Sequence, residues 1–153
     1  YISDLVEYRL YHEKLVEEIS SINSSFFSSK VIRKEFKDHL GNIHTAIIFG
    51  EIKEISPIKF HTIGQDIDLF LNNDKLNSML KTINFLESKG GILIFLSDEK
   101  RNKDSQKDYG IGAQILNSLN IKKIKLMTTG GKHSFVGLQG FGLEIVEEIQ
   151  IEC

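Results

Sequence analysis

Gly91-Ile92-Leu93-Ile94-Phe95-Leu96 is a run without a single polar side chain, set between Gly90 and Ser97-Asp98. It is too short for an ordinary helix and far too short to span a bilayer, so it reads as a strand covered on both faces. Such a strand needs a partner layer on either side. Upstream, Leu76, Met79, Leu80, Ile83 and Leu86 recur at helical spacing until Gly90-Gly91 stop the pattern. Downstream, residues 97–108 carry no apolar side chain and read as a solvated loop. Tyr109–Leu119 then reads as a helix, Ile121–Met127 as a strand, Lys132–Leu138 as a short helix and Leu143–Ile151 as a strand. Alternation at this spacing predicts crossover connections and at least partly parallel pairing.

Towards the N-terminus the chemistry changes. Phe26–Phe36 and Ile43–Ile52 are rich in β-branched and aromatic residues, and Asp38-His39-Leu40-Gly41-Asn42 between them has turn character, which predicts a hairpin. Pro57 opens a short extended piece, Ile58–Thr62. Leu5, Tyr8, Leu10, Tyr11, Leu15, Val16 and Ile19 repeat every three or four positions, so residues 3–19 are expected as an amphipathic helix. Ser20–Ser25 is a polar break and the best linker candidate. Hairpin and crossovers together predict an α/β fold, a mixed sheet with helices on its faces.

The 153 residues carry 19 basic and 21 acidic side chains, a net charge of −2, so no overall basic excess holds phosphodiester backbones and a nucleic-acid partner is not expected. Hydrophobic residues make up 41% and charged residues 26%, which excludes disorder by composition. No stretch predicts a membrane partner. Cys153 is the only cysteine, so no intrachain disulfide and no cysteine-built zinc site is available, and the context reads as cytoplasmic. A first residue of Tyr inside an amphipathic segment reads as a piece cut from a longer chain. Glu144, Glu147, Glu148 and Glu152 read as the wet face of the last strand. Gly110-Ile111-Gly112 lacks the third glycine of a dinucleotide fingerprint and sits within a helical pattern.

DYGIGAQIL (Asp108–Leu116), KKIKLMT (Lys122–Thr128) and GLQGFGLEIVEEIQI (Gly137–Ile151) resemble the end of GTP cyclohydrolase II. That family opens the imidazole ring of GTP at the start of riboflavin biosynthesis. ISDLVEYRLYHEKLVEEI (Ile2–Ile19) resembles the junction of bifunctional riboflavin proteins, in which a 3,4-dihydroxy-2-butanone 4-phosphate synthase precedes the cyclohydrolase module. His44–Ile52 and Gly90–Leu96 match the intervening scaffold. The resemblance implies a junction helix at 1–22 and a degenerate cyclohydrolase-like domain at 23–153. It also implies a homodimer and the upstream synthase as partners, with any magnesium belonging to that synthase.

The resemblance breaks where the chemistry sits. The family holds zinc with three cysteines, and Gly64, Asn73 and Lys75 stand in their places, so the zinc is expected to be lost. Ser105 and Lys107 stand where the family has its acid/base Asp and nucleophilic Arg. No catalytic residue is therefore expected. Remnant nucleotide- or phosphate-binding positions are His61, Glu99, Arg101, Lys107, Thr128, Gly130, Gly131 and Lys132, the last four in place of the family's nucleotide-contacting loop. Two readings follow. One is a domain without cyclohydrolase activity that supports, dimerises or regulates a synthase. The other is a module that binds a nucleotide or phosphate weakly without reacting with it.

Overall fold

The computed structural model describes residues 14–97, 105–129 and 142–151. The strands are β1 (Val16–Phe26), β2 (Ser29–Asp38), β3 (Ile43–Phe49), β4 (Ile55–Thr62), β5 (Gly91–Leu96), β6 (Lys123–Thr129) and β7 (Glu144–Ile151). The helices are α1 (Asp66–Leu71), α2 (Asn73–Lys89) and α3 (Ser105–Ser118). The strands among the described residues join one seven-stranded sheet in the order β1-β2-β3-β5-β4-β6-β7. The β1–β2, β2–β3 and β3–β5 pairs are antiparallel, whereas β4–β5, β4–β6 and β6–β7 are parallel. The sheet is therefore mixed, and β5 is its seam.

The apolar run at 91–96 behaves as its composition demands. Ile92, Ile94 and Leu96 point to one face and pack with Ile111, Ile115 and Leu116 of α3. Leu93 points to the other and packs with Ile83 and Leu86 of α2. Each of these fully buried side chains contributes roughly 1.5–3 kcal/mol through removal from water. Helix α2 stops at Gly90, whose N–H donates to the Leu86 carbonyl at 2.8 Å. Gly91 then begins β5 at φ 139°, and a Cβ there would lie 2.5 Å from the Pro57 carbonyl oxygen and 2.6 Å from Leu86 Cδ2. Helix α3 approaches the sheet just as closely, since a Cβ on Gly112 would meet Phe60 Cε1 at 2.6 Å.

Pro57 sits in a central strand, where a missing N–H is normally excluded. Its carbonyl oxygen faces Gly91, so the absent donor also belongs to the β5 side, and pairing with β5 starts only at Ile58 opposite Ile92. The ladder loses nothing. A bulge between Ile124 and Lys125 opposite β7 reverses that strand's alternation, so that Ile145 packs on the α3 face while Ile149 and Ile151 pack on the α2 face.

Three expectations are corrected. The helix expected over 3–19 lies outside the described residues up to position 13, but from Val16 the chain is strand, because Val16–Phe26 pairs along β2. Ser20–Ser25 is accordingly no linker; it is the body of β1, and the boundary placed between 22 and 23 falls inside that strand. The loop expected over 97–108 is shorter, because helix α3 begins at Ser105. The short helix expected at Lys132–Leu138 lies outside the described residues. Hairpin β2–β3, strand β4 and helix α2 stand where their sequence patterns place them.

Candidate functional site

Strand alternation puts Lys59 and His61 of β4 on the face that α2 covers, since Ile58 and Phe60 pack on the opposite, α3 side. Both are half-buried. His61 stands opposite Phe95 of β5, the rings meeting edge to face with centroids 5.7 Å apart. Burial, then the charges of Lys59 and Lys75, hold the His61 imidazole below its usual range, so the ring is neutral and lies in a positive field. Burial likewise lowers Lys59.

The chain between His61 and Lys75 is where the resemblance to GTP cyclohydrolase II leads one to expect a metal loop. Here it continues β4 through Ile63, whose N–H donates to the Leu96 carbonyl at 2.8 Å, and then forms α1, which buries none of its residues. Asn72 follows and caps α2, its Oδ1 accepting the Lys75 N–H at 3.1 Å. Gly64 offers no side-chain donor atom, Asn73 only a neutral amide in the first position of α2, and Lys75 an exposed ammonium. A zinc ion needs thiolate, imidazole or carboxylate around it, so these residues do not fit one. Among the described residues no group of three or more His, Cys, Asp and Glu comes together.

The other remnant positions do not gather around His61 as far as they are described. Thr128 is buried near the end of β6, and alternation with Leu126 and Met127 places it on the α3 face, opposite to His61. Lys107 falls in the first turns of α3, as does Ser105. Glu99, Arg101, Gly130, Gly131 and Lys132 lie outside the described residues.

A second polar cluster escapes a residue-by-residue reading of the sequence. Asp38, at the end of β2, accepts from the N–H groups of Leu40 and Asn42 through Oδ1 at 2.9 and 3.0 Å, and its Oδ2 lies 2.8 Å from His44 Nε2. On the far side of the ring, His44 Nδ1 accepts the Ser97 N–H at 3.0 Å. The imidazole is thus neutral with its proton on Nε2, and it ties the β2–β3 turn to the end of β5. Burial pushes the Asp38 carboxyl up, but the hydrogen bonds from His44, Asn42 and Leu40 outweigh it and hold Asp38 below the ordinary aspartate value. The detectable signal was parity: Phe36 and Asp38, then His44, Ala46 and Ile48, are all even-numbered positions of one hairpin face.

Residues 97–150 match the model of the GTP cyclohydrolase II family. Along 99% of its length the chain is 38% identical to a 3,4-dihydroxy-2-butanone 4-phosphate synthase of Sulfurospirillum multivorans, and it covers 42% of that protein. The synthase of the same name from Campylobacter jejuni is 41% identical over 147 residues, again with 42% of its length covered. Among solved structures, the crystal structure of RibBX, a two domain 3,4-dihydroxy-2-butanone 4-phosphate synthase from A. baumannii, superposes with a TM-score of 0.71 at 27% identity, over 97% of this chain and 44% of that one. The chain thus spans less than half the length of the relatives it matches. It is a homologue of proteins named as 3,4-dihydroxy-2-butanone 4-phosphate synthases, with a GTP cyclohydrolase II-type segment on a mixed α/β sheet.

Proposed function

We propose that this chain is a GTP cyclohydrolase II-like domain that does not open GTP, and that it serves a 3,4-dihydroxy-2-butanone 4-phosphate synthase of cytoplasmic riboflavin biosynthesis in a structural, dimerising or regulatory role. The observation that carries this reading is the neighbourhood of His61. The one imidazole left from the family's metal motif lies in the field of Lys59 and Lys75, and Gly64 and Asn73 supply no ligand. A dication brought there meets two ammonium groups and no counter-charge from a thiolate. The relatives support the synthase half of the reading, since they carry that name while matching this chain over nearly its whole length.

The test is formate release from GTP by the purified chain with zinc added. No release above the protein-free control is expected, and elemental analysis should find far less than one zinc per chain. Formate at an enzyme-like rate together with stoichiometric zinc would refute the proposal.

A second reading draws support from the same residues. Lys59 is half-buried with its ammonium depressed by desolvation, beside a neutral imidazole, which favours an anion over a cation at this end of β4. In this reading the domain binds a nucleotide or phosphate without reacting with it. Calorimetric titration with GTP, GMP and ribulose 5-phosphate decides the matter: heat that disappears in Lys59→Met supports it, and no heat at millimolar ligand removes it.

A further inference from the structure

Among the described strands β1 and β7 are the outermost, and they are guarded very differently. Strand β7 carries Glu144, Glu147 and Glu148 among its exposed residues, and among the described residues only Glu147 has a nearby cation, Lys125 at 3.7 Å. Laying this edge against its own copy would oppose carboxylates, which is destabilising. Strand β1 carries Glu17, Glu18 and an irregularity at Ile19, all at its start. Charges and bulges of that kind are how proteins keep an outer strand from pairing. From there on, Ser20-Ser21-Ile22-Asn23-Ser24-Ser25-Phe26 has no charge, no proline and no further irregularity, and it pairs regularly with β2 on its inner side. Its outer row of N–H and C=O groups is a template for another strand.

We infer that residues 20–24 of β1 pair antiparallel with the same residues of a second copy of this chain, joining two sheets into one. The inference rests on the dimerising role proposed above and names the surface that would perform it. Self-pairing fits the residues. With a two-fold axis through Ile22, that side chain meets its own copy, Ser20 meets Ser24 and Ser21 meets Asn23, so every pair keeps its face of the sheet and no like charges are opposed. Ile22, 52% exposed in the single chain, loses water on pairing. An isologous contact of this type closes on itself and stops at two copies.

The experiment is light scattering on the chromatographed 153-residue chain over a concentration series, with two lysine variants. The wild type is expected to reach twice the mass of one chain. Ile22→Lys, which changes an exposed side chain, should return the mass to that of one chain with its circular dichroism unaltered. Val146→Lys, on the exposed face of β7, should leave the doubled mass intact. Amide exchange at 20–24 should slow with concentration in the wild type and not in Ile22→Lys. A wild type of single-chain mass throughout, or a dimer that survives Ile22→Lys, overturns the inference. Formate release plays no part in these readouts, so loss of cyclohydrolase activity and the pairing surface stand or fall separately.

Discussion

Alanine in place of Gly91 is expected to destabilise the fold by about 3–5 kcal/mol, the sum of a backbone conformation that an L side chain rarely adopts and of overpacking against fixed atoms. The added methyl would press on the Pro57 carbonyl oxygen at 2.5 Å and on Leu86 Cδ2 at 2.6 Å, with φ at 139°. Neither neighbour can retreat. Pro57 is held in β4 by pairing with β6 at Lys125, and Leu86 is fully buried on the sheet-facing side of α2. The position also lies where β5 starts its ladders with both β3 and β4. For a domain of this size the thermal midpoint should fall by roughly 10 °C or more. Calorimetry or a urea midpoint checks it, and a loss below about 1 kcal/mol would mean that the strand can shift its register to make room.

Removing the Asp38 carboxylate comes close in size. Asp38→Ala leaves the N–H groups of Leu40 and Asn42 and the His44 Nε2–H without their acceptor in a site where the Asp38 and His44 side chains are 0% and 2% exposed. Each buried donor left without an acceptor costs about 1–3 kcal/mol, so a loss of about 3–5 kcal/mol is expected for the group. Asp38→Asn preserves shape, yet its amide cannot accept from all the donors that the carboxylate serves, so an intermediate loss is expected. The same carboxylate sets a pH dependence. Its folded-state pKa lies below the ordinary value of 3.8, so its contribution is complete above that value and is lost as pH falls through the lower, folded one. Acid titration of stability should therefore be less steep in Asp38→Asn than in the wild type. An unchanged acid profile would assign the acid sensitivity to other carboxylates.

How far the sequence could be read follows from which residues face what. The run at 91–96 announces its strand because both of its faces are covered, and α2 announces itself because Ile83 and Leu86 form a stripe against the sheet. Strand β1 hides for the opposite reason. As an outer strand whose residues are mostly exposed it needs few apolar side chains, and its pairing with β2 holds it in place of the helix that the 3–19 periodicity favours. Helix α1 hides because it buries nothing. At the candidate site, Gly64, Asn73 and Lys75 are legible as stand-ins for metal ligands only through the resemblance to GTP cyclohydrolase II. Lys59 is not, because its effect on His61 depends on both side chains sharing a strand face. The Asp38–His44 contact needs more still, since it exists only once the β2–β3 register sets Phe36 opposite His44.

The strand order has a consequence for how the chain assembles. Strands β1, β2 and β3 form a meander of neighbours in sequence, and its contacts close over short stretches of chain. The β3–β5 ladder instead brings Thr45 to Phe95 across everything that β4, α1 and α2 contribute. Long-range closure is slower than local pairing, so the meander is expected to form before β5 joins it. During that delay β3 is itself an open border, and the speed at which β5 arrives governs how long nascent chains are exposed to mispairing with one another.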